Sequence, residues 1–560
     1  MPVIADPAIP LSTRASATGG ALSFVVRTLN QSLWRWRLGS AGIALLTAIP
    51  LAVILSSLSQ IDLSLWQHLG DIVLPTLLAN TAILLTGVGI GVLLLGVPLA
   101  WLTAVHDFPG RRFFSWALML PLAMPAYVLA FAMVGLLDFT GPLQTWLRTL
   151  ADGPVAFPPI RSTGGVIIVM SLSLYPYVYL LARNAFATQG RRALEAAASL
   201  GLSPWQGFWR VALPMARPWI IGGLSLALME TLADFGTVSV FNFDTFTTAI
   251  YKAWFSFFSL PAAAQLASLL VIGVFGLVWL EQRARGRRAY VQRQPAPLPR
   301  TPLHGKRAWL ATTGAGLVLL LAFGVPFAQL LVWALSVMET DLDARYFGFV
   351  GNTLLLALLT AGLVTTLALL LAYAQRRDAS LPTRLAVRLA TLGYAVPGTV
   401  LAVGVFVPVA WLDNQLLNHL PWLAGQTAIF KGTLAVMLLA LAARFAAVGF
   451  SPVDSALARI PKSQEESARL LGMRGLPLLR RVYLPQLRGG LLTALLMVLV
   501  DTMKEMPITL MTRPFGWDTL AVRVFEMTSE GQWDRAALPS VAIVLTGLIP
   551  VLLLARETRS

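Results

Sequence analysis

Long apolar segments, separated by short polar ones, run along most of the chain. Each has about 20 mostly apolar residues, which is enough for a helix to cross a bilayer. The alternation of about ten residues that marks a transmembrane β-barrel strand is not seen in them. The pattern predicts an all-α membrane protein with twelve spans, near 38–58, 76–104, 113–137, 164–184, 218–238, 262–281, 309–337, 351–374, 387–411, 431–450, 489–511 and 537–555. Prolines should kink the third and ninth spans.

The composition excludes a water-soluble protein. Hydrophobic residues make up 57% of the 560 residues and charged residues 12%, whereas about 25% of an average globular chain is charged. A net charge of +16 would suggest nucleic-acid binding in a soluble protein. Here we assign the excess to loops beside membrane lipids and predict no nucleic-acid partner. Cysteine is absent and the four histidines are far apart, so no metal site is predicted.

The distribution of charge predicts the orientation. The N-terminal segment, the C-terminus and the loops after even-numbered spans hold most of the Lys and Arg, whereas the other loops hold more acids than bases. Basic loops stay in the cytoplasm, so both termini are predicted to be cytoplasmic. Residues 1–37 lack an apolar core followed by a cleavage site, so we expect no removable signal peptide.

The two halves of the chain match each other at a nearly constant spacing. The matched pairs include Asn80 and Asn352, Pro125 and Pro397, Glu195 and Glu466, Gly201 and Gly472, Arg210 and Arg481, and Pro214 and Pro485. With six spans in each half, the repeats are parallel. We predict a cytoplasmic segment at 1–37, a first repeat at 38–281, a basic, proline-containing cytoplasmic linker at 282–307 and a second repeat at 308–560.

The loops after spans 4 and 10 carry the same motif. Each has an acidic start, small residues, a glycine that permits a backbone turn, an amphipathic segment and a closing Leu-Pro. The residues are Glu195, Ala196, Ala197, Gly201, Leu213 and Pro214 in the first loop, and Glu466, Ala468, Gly472, Leu484 and Pro485 in the second. An interfacial helix lying on lipid headgroups is the alternative for either loop alone, but two copies with the same spacing disfavour it.

These loops resemble the EAA motif of ABC-importer permeases, with one departure at Ser467. The resemblance implies a type I permease core in each half and coupling loops at 191–217 and 459–488 that dock on a cytoplasmic ABC ATPase. It also implies a periplasmic substrate-binding protein and a location in the bacterial inner membrane.

The chain has no Walker A sequence, since its nearest Gly-Lys pair, Gly305-Lys306, is followed by Arg307. We therefore predict a transport subunit, not an enzyme, that binds no cofactor. ATP would be hydrolysed by a separate ATPase, expected to be a homodimer with one subunit at each loop.

Two further stretches, 232–255 and 501–525, resemble the ferric-iron ABC permeases. Four acids occupy matched positions at the ends of spans 5 and 11: Glu230, Asp234, Asp501 and Glu505. Ionisable groups in a membrane usually face the bundle interior or a water-filled path, and carboxylates suit a hard trivalent cation. We expect these acids to line a translocation path. The alternative is that they pair with Lys504, Arg513 or backbone groups and hold helices together.

Asp244 and Asp518 also recur, and we expect their loops to face the periplasm and contact the binding protein. The sequence thus predicts the permease of a binding-protein-dependent importer that carries ferric iron by ATP-driven alternating access. Thiamine or an organophosphonate stays open as substrate, and a secondary transporter driven by an ion gradient is the rival of a different class.

Overall fold

The structure, a computed structural model, describes residues 15–59, 69–190, 197–199, 201–285, 300–420, 428–473 and 475–557. Nearly all of these residues are helical, as the all-α prediction requires. The strands are two residues long, His106–Asp107 and Thr301–Pro302, and they pair in parallel with His106 opposite Thr301. Most of the predicted linker, including residues 286–299, lies outside the described residues.

Twelve helices in the described part of the chain are long and apolar enough to cross a membrane, in agreement with the predicted number. Spans 1 to 12 are Trp34–Ser59, Leu74–Val105, Ala126–Ala151, Thr163–Thr188, Trp205–Ala233, Leu260–Ala284, Lys306–Asp341, Ala344–Arg377, Gly398–His419, Leu434–Ala458, Leu479–Met503 and Trp533–Leu553. Shorter helices are Arg111–Ala117, Pro142–Ala151, Gly236–Val240, Phe246–Phe255, Leu381–Thr391, Lys462–Leu470, Pro507–Thr512 and Leu520–Ser529.

The largest boundary differences from the predicted spans have local causes. Spans 5 and 11 begin earlier than predicted because the second helix of each motif loop runs directly into the membrane helix. Span 3 consists of two helices, Ala126–Leu137 and Pro142–Ala151. The second of these is amphipathic, with Gln144 buried and Trp146 exposed, and so it falls outside a purely apolar segment.

The predicted proline breaks occur at matched points of the two repeats. A 3₁₀ turn at Leu120–Ala123 ends in extended backbone at Met124, and a helix restarts after Pro125. In the second repeat the turn is Leu392–Ala395 and the restart follows Pro397. Proline cannot donate a backbone hydrogen bond and favours an extended residue before it, which is the conformation of Met124 and Val396.

Each repeat has a core of three spans, and its first span packs on the other repeat. Spans 2, 4 and 5 pack together, as do spans 8, 10 and 11. Span 1 lies against spans 8 and 9 and helix Leu381–Thr391 of the second repeat, and it also touches span 6 of its own repeat. Span 7 packs mainly on span 12 of its own repeat and also contacts spans 3 and 4 of the first. The approach is close, since a Cβ on Gly404 of span 9 would come within 2.6 Å of Ile54 in span 1. The halves are therefore interlocked.

A buried carboxylate fixes this crossing at one end. Asp378, which follows span 8, accepts hydrogen bonds of 2.7 Å each from Arg37 of span 1, Ser380 and Thr383. Burial raises the pKa of Asp378, but these hydrogen bonds outweigh it and hold the pKa well below its usual range. Asp378 therefore stays ionised and ties span 1 to the second repeat.

Candidate functional site

The two motif loops share one backbone turn. Gly201 has a φ of 79° and Gly472 a φ of 81°, so both adopt the left-handed conformation that glycine tolerates best. The amide of Gly201 donates to the carbonyl of Ala198 at 2.9 Å, and that of Gly472 donates to Arg469 at 3.0 Å. The turn expected at both glycines is present. Glu195 and Ala196 lie outside the described residues.

The first loop presents aromatic side chains on both of its faces. Phe208 packs edge-on against Trp101 of span 2, with 4.7 Å between ring centroids. Trp101 also contacts Phe186 at the end of span 4, at 5.0 Å. Trp205 and Trp209 point outward and are 70% and 49% exposed. One face of the loop is thus packed on the core, and the other carries exposed aromatic side chains. Leu213 and Pro214 begin the α-helix Leu213–Ala233, the main part of span 5, directly after this segment.

The second loop is held by an ion cluster that the sequence analysis missed. Glu465, which is buried, pairs with Arg469, with Arg377 at 3.3 Å and with Arg376 at 3.7 Å. Arg376 also donates to the carbonyls of Leu457 and Ile460. The motif residue Glu466 is exposed, whereas Ala468 is buried. Glu465 therefore ties the loop to the ends of spans 8 and 10, while Glu466 faces outward.

Leu470 and Leu471, beside the turn at Gly472, are 89% and 79% exposed. The helix then resumes and runs through Leu484 and Pro485 into the membrane. Both loops thus present apolar side chains on the same side of the protein, each at the end of a rigid helix pair.

Asp234 and Glu505 occupy equivalent positions just after spans 5 and 11. The Asp234 carboxylate accepts from the Val238 amide at 3.1 Å and the Thr237 hydroxyl at 2.9 Å. Glu505 accepts from the amides of Ile508 at 3.0 Å and Thr509 at 3.2 Å. Each carboxylate therefore neutralises the N-terminus of the short helix that follows it.

These short helices lie beside the proline breaks. A Cβ on Gly398 would stand 2.9 Å from Glu505, and one on Gly236 would stand 2.6 Å from Tyr127. The buried hydroxyls of Tyr127 and Thr399, each two residues after the breaking proline, have no hydrogen-bond partner among the described residues. Oxygen-bearing side chains therefore lie beside the proline break at equivalent positions in the two repeats.

Glu230 and Asp501 belong to a mixed central cluster. The Tyr394 hydroxyl, from the second repeat, donates to Glu230 at 3.3 Å. Asp501 pairs with Lys504 at 2.9 Å. Arg444 of span 10 donates to the carbonyl of Val396 at 2.5 Å and lies over the Tyr394 ring. The cluster crosses the interface between the repeats and combines acids with bases.

Sequence reasoning missed Tyr394 and Arg444. An arginine inside an apolar span is itself a signal of function, so Arg444 was open to detection, whereas Tyr394 was not. Among the residues that the structure describes, no group of three or more His, Cys, Asp or Glu side chains converges to hold a metal ion.

The predicted outer acids Asp244 and Asp518 share one setting. Asn80 of span 2 donates to the carbonyl of Asp244 at 2.9 Å, and Asn352 of span 8 donates to that of Asp518 at 3.2 Å. The Asp244 carboxylate pairs with Lys252 at 2.5 Å, and that of Asp518 pairs with Arg513. Both are half-buried at the ends of spans remote from the motif loops, and both acids hold the start of a short helix in place.

Comparison with known proteins bears on these sites. The family model described as "Binding-protein-dependent transport system inner membrane component" matches the chain twice, at residues 96–286 and 364–556. The Fe(3+)-transport system permease protein FbpB 2 of Haemophilus influenzae is 28% identical over 487 residues, covering 85% of this chain and 89% of that protein.

Two relatives named for the transport of other substrates match shorter stretches. A probable sulfate transport permease, cysT of Nephroselmis olivacea, is 28% identical over 40% of this chain and 78% of its own length. The molybdenum transport permease ModB of Azotobacter vinelandii is 30% identical over 26% of this chain and 63% of its own length. Two family matches, twelve spans and two copies of one motif agree. The chain belongs to the inner membrane components of binding-protein-dependent transport systems, as a multi-pass permease of an ABC importer in which two permease cores are fused.

Proposed function

We propose that this permease carries ferric iron from the periplasm to the cytoplasm. The observation that supports iron is the extent of the match to the Fe(3+)-transport permease, which covers 85% of the chain and so reaches into both repeats. The sulfate and molybdenum relatives described above match 40% and 26% of it. A fused arrangement of two cores is thus common to this chain and the iron permease.

We propose that both coupling loops, 191–217 and 459–488, dock on one cytoplasmic ABC ATPase homodimer. The exposed apolar side chains Trp205, Trp209, Leu470 and Leu471 provide the contact surface. Phe208 and Glu465 pass the movement of the ATPase to the core, because each is anchored on the span ends behind its loop. On this proposal both termini are cytoplasmic, and ATP is bound by the partner.

The proposed path runs through the central cluster. Glu230, Asp501 and the Tyr394 hydroxyl offer hard oxygen ligands of the kind a trivalent cation prefers. Asp234 and Glu505 lie beside this cluster, but their carboxylates bind helix N-termini. Their proposed role is therefore to fix the short helices that close the path. Asp244 and Asp518 stand at the proposed periplasmic mouth, where the substrate-binding protein docks.

A second candidate substrate is a tetrahedral oxyanion. Lys504 and Arg444 bring two positive charges into the central cluster, and relatives bear the names of sulfate and molybdenum transport. Such an anion would bind these two bases, whereas iron would bind the acids and phenol beside them.

Uptake into proteoliposomes tests the proposal. The chain would be reconstituted with its ATPase and binding protein, and labelled ferric iron and labelled sulfate would be supplied in parallel with and without ATP. ATP-dependent iron uptake that Glu230→Gln reduces by at least about tenfold supports an iron path, since tenfold corresponds to about 1.4 kcal/mol and removing one partner of a buried charge pair costs more than that. Asp152→Asn, an exposed acid outside the cluster, is the matched control.

Sulfate uptake without iron uptake would reject iron and favour the oxyanion. Uptake that proceeds without ATP would reject the ABC mechanism in favour of a secondary transporter. Equal effects of Glu230→Gln and Asp152→Asn would reject the proposed path while leaving the substrate as measured.

A further inference from the structure

The side of the protein that carries the coupling loops has a second feature, a cluster of arginines from three separate segments. Arg111 and Arg112 begin the helix after span 2, Arg183 lies in the last turn of span 4's helix, and Arg300 belongs to the end of the linker. We name these four residues the arginine cluster. None of them belongs to the coupling loops or to the central cluster described above.

Backbone pairing brings the linker to this place. Thr301 pairs with His106, and the Leu303 amide donates to the carbonyl of Asp107 at 2.8 Å. The Thr312 hydroxyl donates to the carbonyl of Pro109 at 2.9 Å. Arg300, one residue before the paired strand, is therefore held beside the loop that follows span 2.

Span 4 reaches the same place through Tyr179. The Tyr179 hydroxyl donates to the carbonyl of Ser115, in the helix that Arg111 and Arg112 begin, at 3.0 Å. Arg183 follows Tyr179 by four residues and so lies on the same helix face. Three elements distant in sequence thus present guanidinium groups to a single region.

The charges in this region are unbalanced. Among the described residues, the acid recorded beside Arg300 is Asp107, which already pairs with Arg111 at 3.1 Å. Burial lowers the pKa of Arg300, and the neighbouring charges of Arg111, Arg183 and Arg112 lower it further. Like charges repel one another, and an anion bound among them would relieve that repulsion. The preference for basic cytoplasmic loops explains basic residues in each segment, but not their convergence.

The surroundings identify the anion. Phe113 is 48% exposed beside the cluster, and Trp309 and Leu310 at the start of span 7 are 65% and 70% exposed. Aromatic side chains at span ends lie at the level of lipid headgroups, and arginine binds phosphate with two parallel hydrogen bonds. From the cluster and these apolar neighbours, we infer that Arg111, Arg112, Arg183 and Arg300 bind the phosphate of an anionic phospholipid headgroup.

The site adjoins the machinery of the first coupling loop. The Trp101 ring lies edge-on to His106 at 6.2 Å and to Phe208 at 4.7 Å. A lipid held by the cluster would thus brace the platform on which that loop rests. This inference depends on the proposed function only for its leaflet, the cytoplasmic one. Lipid binding is measured without ATPase or substrate, so the two proposals can fail separately.

Binding of a fluorescent phosphatidylglycerol to the purified full chain in phosphatidylcholine nanodiscs tests the site. The variant Arg112→Gln/Arg300→Gln removes two charges and keeps the pair of Arg111 and Asp107. We expect it to lower the apparent affinity by about tenfold or more, because each basic residue near an anionic surface contributes severalfold. The matched control is Arg384→Gln/Arg388→Gln, which removes two exposed arginines from helix Leu381–Thr391 on the same side of the second repeat.

A larger loss of lipid affinity in Arg112→Gln/Arg300→Gln than in the control supports the site, and equal losses overturn it. Retained affinity in the first pair overturns it as well. Inorganic phosphate is added alone as a competitor: displacement of the lipid by phosphate would show a site for a free anion and would overturn the lipid assignment. The Arg112→Lys/Arg300→Lys pair keeps the charge and should retain most of the binding. A loss as large as that of the Gln pair would indicate a structural defect and count against the site.

Discussion

Replacing both turn glycines of the coupling loops tests how far the shape of these loops determines coupling. An added Cβ would meet nothing within 4 Å at Gly201 or Gly472. The cost of a side chain is therefore conformational, about 1–2 kcal/mol for each left-handed residue. The two loops belong to different repeats, so their costs should add to about 2–4 kcal/mol. Valine, which is β-branched, should reach the upper part of this range, whereas asparagine tolerates the left-handed conformation.

A cost of about 2–4 kcal/mol lowers the population of correctly shaped loops by roughly 30-fold to 1,000-fold, and docking can recover only part of it. For Gly201→Val/Gly472→Val we expect at least a tenfold loss of binding-protein-stimulated ATP hydrolysis and weaker co-purification of the ATPase. The Gly201→Asn/Gly472→Asn pair should stay near the unmodified protein. Both should elute from size exclusion like that protein. Equal activity in the valine and asparagine pairs would refute the argument from backbone conformation.

Three further outcomes follow from described contacts. Glu465→Gln should weaken the anchoring of the second loop by about 2 kcal/mol, since hydrogen bonds to a charged group are lost; co-purification of the ATPase should fall more than for Glu466→Gln, and an equal fall would contradict this. Asp378→Asn should lower the melting temperature in detergent by a few degrees. Because the pKa of Asp378 is depressed on folding, its contribution is complete above about pH 4 and is lost only as pH falls through the folded value, so the difference should be constant from about pH 5 to pH 8; a difference that varies across this range would contradict it. Glu505→Ala should reduce the yield of folded protein, measured as the monodisperse fraction, because it uncaps a buried helix. Glu230→Gln should leave that yield unchanged. Equal yields would contradict the assignment of Glu505 to helix capping and of Glu230 to the path.

The fold class followed from the sequence because hydropathy and proline act locally. Twelve spans are evident from segment length alone, and the breaks at Pro125 and Pro397 agree with the preference of proline for an extended residue before it. The left-handed turns at Gly201 and Gly472 are likewise local, since glycine adopts them at the least cost. Because the chain contains two repeats, each of these local patterns occurs twice.

Tertiary contacts were beyond the sequence. The sequence left open whether Asp234 and Glu505 line a path or bind backbone groups, because the bend that turns each carboxylate toward the amides of the following helix is a feature of the folded chain. Glu465 was passed over for its neighbour Glu466, since the motif has one acid and burial decides which of the two faces the core. The packing of span 1 on the second repeat cannot be predicted from its hydrophobic pattern, because the helices of either repeat would offer it an apolar surface.

The crossing of span 1 imposes an order on biosynthesis. Span 1 ends at Ser59, and its partners in the second repeat begin at Ala344. The ribosome must therefore add roughly 300 residues before these partners exist, which takes on the order of half a minute at about 5–20 residues per second. During that interval span 1 can pack on span 6 of its own repeat, where the Ser268 hydroxyl donates to the carbonyl of Ile54 at 2.6 Å, but not on its partners in the second repeat. Fusion of the halves ensures that its partner arrives from the same ribosome, so assembly becomes an intramolecular step whose rate does not depend on the concentration of a second polypeptide.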